Sequence, residues 1–219
     1  MKHISQIISE TTRLKKSNMI LKLESELTNE LKSSFLAVYS IICPGFVITE
    51  EMKPILKNIC TYFLGIDGIY SLNKGIYLYG DYGLGKTTLM LTIRKWLAEC
   101  FAFSGNGFTV TSIEEIIDLY KTTGNLDKFV NNKEEYGYVF PRHLLINEFG
   151  KEIKDKIYGT EAQQIINSLM MRRYEVLQSS GKVTHITSNH LPKSNDQALN
   201  DRYVEMFNLV EIKGKSFRK

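Results

Sequence analysis

The chain has 219 residues, a length that fits one domain with a small appendage. Apolar residues make up 43% of it, enough for a packed core, and 28 Lys and Arg against 24 Asp and Glu leave a net charge of +4, compatible with nucleic acid without requiring it. No apolar run reaches the length of a membrane span, residues 1–6 lack the apolar core of a signal peptide, and Cys43, Cys60 and Cys100 are too scattered for a metal site or disulfide framework, so a reduced, cytoplasmic protein with no membrane partner is expected.

In chain order, residues 1–45 are expected to form a helical N-terminal segment. Leu21, Leu23, Leu27, Leu31, Phe35 and Val38 recur at helical spacing among the charges Lys22, Glu24, Glu26, Glu30 and Lys32. That pattern describes an amphipathic helix packed on its own core or on a partner. Pro44 and Gly45 break it, and residues 46–219 make up the remaining domain. A helix is expected over residues 50–65, a short apolar strand over 75–79 and a helix over 88–97. Then come a strand at 108–111, a helix whose Ser112 and Glu115 make a capping box, and a strand at 143–146. A long helix from Thr160 to Ser180, stopped by Gly181, precedes strands at 183–187 and 208–212. Alternation of this kind implies an α/β fold, a doubly wound parallel sheet with helices on both faces.

Between the strand at 75–79 and the helix after it stands Gly80-Asp81-Tyr82-Gly83-Leu84-Gly85-Lys86-Thr87, the G-x-x-x-x-G-K-T pattern of a phosphate-binding P-loop. Strand, loop and helix are the setting this motif needs. The expected nucleotide-binding residues are Gly80, Gly83, Leu84, Gly85, Lys86, Thr87 and Thr88. Glycines let backbone N–H groups converge into a nest for phosphate oxygens. Lys86 is expected to reach the β- and γ-phosphates and the Thr87 hydroxyl to ligate Mg²⁺, so ATP with Mg²⁺ is the expected ligand pair.

Such an ATPase needs an acidic site at the end of a neighbouring strand, and Leu144-Leu145-Ile146-Asn147-Glu148-Phe149-Gly150 has that form. Glu148 stands where a carboxylate orients and deprotonates the attacking water. Asn147 falls where an Asp is expected to hold the Mg²⁺ shell; its amide oxygen accepts from a metal-bound water but carries no charge. Two readings follow: hydrolysis is weak, or the residue has been altered to trap the ATP state. Further on, Ile186-Thr187-Ser188-Asn189 ends a strand and puts Asn189 at the carboxyl edge of the sheet, where ligands of open α/β sheets sit. Asn189 is expected to hydrogen-bond the γ-phosphate or the lytic water. Arg202, opening a short helical stretch, and Arg218 are each candidates for a cation that stabilises developing phosphate charge, in cis or across a subunit contact.

Four segments in order, GDYGLGKTT, HLLINEFG, ITSN and DRYVEMFNLVEIKGKSFR, resemble the AAA+ ATPases of the DnaC/IstB type, the replicative helicase loaders and transposition helper ATPases. The resemblance covers residues 50–219, and its most specific feature is the tail ending in G-x-S-x-R. It implies that Asn189 is the sensor 1 residue, Arg202 an arginine finger completing a neighbour's site and Arg218 a sensor 2 arginine. It further implies an ATP-dependent oligomer that handles DNA, and an N-terminal segment that grips a replicative hexameric helicase.

Within the chain, the candidate DNA contacts are the aromatics and cations of residues 113–142, among them Tyr120, Lys128, Phe129, Tyr136, Phe140 and Arg142. The same aromatics also suit a core beneath a long connection. Arg172 and Arg173 suit a DNA channel, a neighbour's nucleotide, solvent or a structural ion pair. Three functions stay open at this point: a helicase loader acting on single-stranded DNA, a transposition helper assembling on duplex DNA, and a weakly hydrolysing adaptor switched by ATP. Asn147 keeps the third in play.

Overall fold

Short β-rich runs punctuated by glycine become strands, and the longer amphipathic runs become helices. The computed structural model describes residues 20–45, 48–100, 107–131, 134–135, 138–139, 141–150, 159–194, 196–214 and 216, with the side chains of 20–28, 134–135, 138–139 and 159–161 left aside. In order the elements are α1 (Ile20–Ile42), α2 (Met52–Phe63), β1 (Gly75–Tyr79), α3 (Lys86–Cys100), β2 (Phe108–Ser112), α4 (Ile113–Thr123), α5 (Asp127–Val130) and β3 (Glu134–Glu135). They continue with β4 (Tyr138–Val139), β5 (His143–Phe149), α6 (Gly159–Ser180), β6 (Thr184–Ser188), α7 (Gln197–Met206) and β7 (Phe207–Glu211). Arg202, expected at the start of its helix, lies within α7, because Asp196 caps that helix earlier by accepting from the Ala198 and Leu199 amides.

The described residues divide into two units, one within residues 20–45 and 88–107 and one within residues 48–87 and 108–216. In the first, the helical spacing of Leu31, Phe35 and Val38 gives α1 a buried face. Phe35 stacks on Tyr39 and meets Trp96 of α3 edge-on, ring centroids 5.4 Å apart, while the Trp96 indole N–H donates to Ser34 Oγ at 2.9 Å. A fully buried indole is thereby both packed and hydrogen-bonded.

In the second unit, five parallel strands run in the order β2-β5-β6-β1-β7. Alternation along the strands separates two faces. Tyr77, Leu144, Ile146 and Ile186 point into a core closed by Ile113 and Ile116 of α4, Phe129 of α5, Ile166, Leu169 and Met170 of α6 and Leu199, Tyr203 and Met206 of α7. The intervening His185 turns to the other face, where Tyr62 and Phe63 of α2 and Phe108 of β2 surround its ring. His185 Nδ1 accepts the Ile76 amide at 3.0 Å, which requires the neutral imidazole. Burial first, then His143 and Arg173, hold its pKa well below the ordinary value. β7 and β2 are the edges of this sheet, and β3 pairs with β4 in a separate antiparallel ribbon.

Both capping expectations hold. Ser112 accepts the Glu115 amide at 3.1 Å, and the Glu115 carboxylate takes a backbone hydrogen bond from Ser112 in return. Gly181, at φ +65°, donates to the Leu177 carbonyl and ends α6. The cations of residues 113–142 and of α6 mostly serve the fold. Lys128 pairs with Glu115, Arg172 pairs with Asp127, and Phe129 is buried. Tyr136 and Phe140 lie outside the described residues. Arg173 is fully buried and has no carboxylate partner among the described residues; its guanidinium donates to Thr184 Oγ1 and the Arg142 carbonyl at 2.9 Å, the Val183 carbonyl at 3.1 Å, and more weakly to those of Phe129, Val130 and Lys182. Burial pushes its pKa down to about 10. One cation thus gathers the carbonyls that lead into β5 and β6, at the sheet edge opposite to the one the P-loop leaves. Among the described residues no helix is long and apolar enough to cross a membrane, and no cluster of His, Cys, Asp or Glu forms a metal site.

Candidate nucleotide site

At the carboxyl edge of the sheet β1 ends at Tyr79 and the chain turns through Gly80, Gly83 and Gly85, all at positive φ (+145°, +78° and +75°). Gly80 is sterically obligatory: a Cβ there would stand 2.2 Å from the Ile212 carbonyl oxygen, which belongs to the residue following β7. The two segments are tied by the Ile212 amide donating to the Tyr79 carbonyl at 2.8 Å, and Leu84 is buried at the base of the loop. The loop delivers the chain into α3 at Lys86, so the N-terminus of that helix lies at its end. Thr87 and Thr88 follow in α3.

Lys86 is only 8% exposed, and its ammonium donates to the Gly80 and Asp81 carbonyls, both at 2.7 Å, and to Asn189 Oδ1 at 2.9 Å. Asn189 leaves β6 beside the loop, so the structure brings together two residues 103 apart in sequence. An open cleft of about 530 Å³ runs across the end of β1 and is lined by Gly80, Asp81, Asn189, His190, Glu211 and Lys213 among others. That volume lies within the range of small-molecule sites.

The end of β5 is irregular. Its pairing with β6 shifts between Ile146 and Phe149, a bulge that takes Asn147 and Glu148 out of register with β6 while Asn147 stays paired with Ser112 of β2. Glu148 is exposed and adopts φ +58°, the one non-glycine residue at positive φ among the described residues. Two buried hydroxyls sew the bulge to β6. Thr187 Oγ1 accepts the Glu148 amide and donates to Asn147 Oδ1, each at 3.1 Å, and Ser188 Oγ donates to the Phe149 carbonyl at 2.7 Å. The Asn147 amide oxygen is therefore already engaged by a protein donor.

No family model and no curated protein matches the chain. Among solved structures, that of DnaI aligns over 81% of this chain and 89% of its own, with a TM-score of 0.54 and 16% identity. The DnaC helicase loader aligns over 78% of this chain and 96% of its own, with a TM-score of 0.54 and 19% identity. The replication initiator DnaA, bound to AMPPCP and single-stranded DNA, aligns over 78% of this chain and 49% of its own, with a TM-score of 0.51 and 18% identity. The chain shares the α/β fold of these structures, built on a parallel sheet.

Within this fold the expected site residues fall into three groups. Gly80, Lys86 and Asn189 are in direct contact. Asn147 and Glu148 meet through Thr187. Arg202 belongs to neither: it is half-buried on α7, donating to Met171 Sδ of α6 and lying over the Tyr174 ring, 5.1 Å from its centroid. Arg218 lies outside the described residues. Thr187 and Ser188 are the site residues that sequence reasoning passed over. Their signal is the pair of adjacent hydroxyls in a strand that is buried throughout.

Proposed function

We propose that this chain is an ATP-binding AAA+ protein that acts as a replicative helicase loader on single-stranded DNA, its hydrolysis assisted by a neighbouring subunit. Residues 46–219 are the ATPase domain on this reading, and residues 1–45 the partner-binding segment. The observation that carries it is the convergence of Lys86, the P-loop carbonyls and Asn189 at the carboxyl edge of a parallel sheet, next to a strained Glu148. The residues present fit a nucleotide: Gly80 is the residue type that lets the loop lie against Ile212, and the loop runs into a helix N-terminus. The structural neighbours, one of them the DnaC helicase loader and one a replication initiator bound to AMPPCP and single-stranded DNA, support this choice over a transposition helper.

In this mechanism the loop amides and Lys86 bind and orient the phosphates, and Asn189 is a neutral donor or acceptor at the γ-phosphate. Glu148, exposed at the bulge, takes a proton from the attacking water. Thr87 and Asn147 would hold Mg²⁺, which when bound neutralises phosphate charge. Arg202 supplies a cation to the site of a second copy.

One observation favours a slower, switch-like variant of the same protein. Asn147 has no charge, and its oxygen already accepts from Thr187. An adaptor that assembles with ATP and hydrolyses it slowly suits that arrangement.

Size-exclusion chromatography of the protein with the replicative helicase of its host, with ATP·Mg²⁺ and without nucleotide, tests the reading. Co-elution that deletion of residues 1–45 abolishes is the expected result. Separate elution in both conditions would discard the loader function.

A further inference from the structure

Arg202 is held by a set of contacts that no expectation about this chain included. Its guanidinium donates to the Met171 thioether and stands over the face of Tyr174, and among the described residues no carboxylate lies within ion-pair distance of it. The ring beneath it is itself fixed. The Tyr174 hydroxyl donates to Glu205 Oε2 at 2.6 Å, and Gln178, one turn along α6, bonds the same hydroxyl. Glu205 and Arg202 are three residues apart on α7, so Tyr174 is gripped by the two ends of one helical turn: the cation on its face and the carboxylate on its hydroxyl. Met171 and Tyr174 both pack against the main core.

This is an unusual way to keep an arginine. Arg172 has Asp127 as a counter-charge and Arg173 is sunk among carbonyls. Arg202 is instead oriented by groups other than a direct ion-pair partner: a thioether and a π-face. A guanidinium has five N–H donors, and an aromatic face uses none of them. Such a cation is ready for an anion from outside the chain.

We propose that Tyr174, steadied by Glu205 and Gln178, is the positioning residue that presents Arg202 to the triphosphate bound by a second copy. The proposal rests on the reading of Arg202 as a trans-acting cation. Tyr174 touches no nucleotide; it restricts the side chain that does, so that less rotamer freedom is lost when the anion is met. Truncating the ring is expected to lower kcat, leave KM for ATP unchanged and leave the fold intact.

The test is ATP turnover per subunit, measured as protein concentration rises, for the wild type, Arg202→Ala, Tyr174→Ala, Tyr174→Leu and Tyr174→Phe, each with a thermal melt. Turnover per subunit should climb with concentration in the wild type and stay flat in Arg202→Ala. Tyr174→Ala and Tyr174→Leu should lose about two- to fivefold in kcat at saturating concentration, the factor a surface cation–π contact is worth. Tyr174→Phe, which keeps the ring, should stay close to the wild type. The leucine variant keeps the volume should alanine unsettle the packing of α6 on α7. If Arg202→Ala loses the concentration-dependent turnover while Tyr174→Leu and Tyr174→Phe match the wild type, the positioning role is refuted and the arginine reading stands. If turnover in the wild type is flat with concentration, or Arg202→Ala still climbs, the trans reading falls and takes this proposal with it.

Discussion

Replacing Glu148 by glycine separates the backbone of the β5 exit from its carboxylate. At φ +58° the residue sits in the left-handed region, which costs an L-amino acid roughly 1–2 kcal/mol that glycine does not bear. Glycine gives back about 0.4–1 kcal/mol of the gain, because it loosens the unfolded chain. The net expectation is a stabilisation of about 0.5–1 kcal/mol, which for a chain of this size raises Tm by roughly 1–4 °C. Glu148→Ala is the proper reference, since it removes the same carboxylate and every contact it makes while keeping the Cβ. Both variants should lose about a hundredfold or more in ATP turnover, the usual contribution of a positioned general base. The measurement is a pair of thermal melts and a pair of urea titrations, Glu148→Gly against Glu148→Ala. A glycine variant no more stable than the alanine variant would refute the claim that strain is stored at this position.

Lys86→Ala is expected to abolish nucleotide binding, read by calorimetry with ATP and with ADP; retained binding would remove the P-loop from the site. Gly80→Ala places a Cβ 2.2 Å from the Ile212 oxygen, so the loop must shift, and a loss of nucleotide affinity of at least tenfold is expected together with a melt lowered by roughly 2–12 °C. Asn147→Asp restores a charge to the Mg²⁺ side and should raise turnover roughly tenfold; unchanged turnover would favour the slow adaptor. His185 is held neutral by burial, with His143 and Arg173 adding to the effect, so its folded pKa lies well below its unfolded value near 6.5. The unfolded chain therefore takes up a proton that the fold refuses, and stability present above pH 6.5 is lost as the pH falls below it. Urea midpoints from pH 7.5 to pH 5 should decline in the wild type, and a profile flat across that window would contradict a buried neutral histidine.

Local signals made much of this fold legible. The strand at 75–79 has its expected limits because Gly80 marks its end, and the ends of α4 and α6 are written in Ser112, Glu115 and Gly181. Leu31, Phe35 and Val38 disclose the buried side of α1 by spacing alone. What stayed hidden depends on contacts between distant segments. Arg173 looks like any helical surface charge until the chain ends before β5 and β6 converge on it, since the carbonyls it binds belong to residues 129–142 and 182–183. His143 and His185 each accept a backbone amide through Nδ1, from Val183 and Ile76, and nothing local marks those partners. The ribbon of β3 and β4 has two residues per strand, too few for any alternation to show. In the site, the motif residues were legible singly, while their grouping followed from strand register.

That register explains why the bulge and the lysine contact belong to one arrangement. Tyr79 pairs with Ser188 on one side and with Glu211 on the other, so Gly80, Asn189 and Ile212 stand at one level, one step past the ladder. Between β5 and β6 the register through Ile146 and Ile186, continued without a break, would set Glu148 opposite Ser188 and Phe149 opposite Asn189. Instead Phe149 lies opposite Ser188, one residue earlier. The extra residue on β5 ends the pairing at Ser188 and leaves Asn189 beyond it, where its side chain meets Lys86. The same residue is accommodated by the left-handed turn at Glu148, and Thr187 and Ser188 hold the distorted strand by their hydroxyls rather than by the ladder. A regular β5 would be the more stable strand, and it would bury Glu148 in pairing and set a strand neighbour beside Asn189. The cost in backbone strain is thus tied to two outcomes at once: an exposed carboxylate on β5 and an asparagine on β6 that reaches the P-loop lysine.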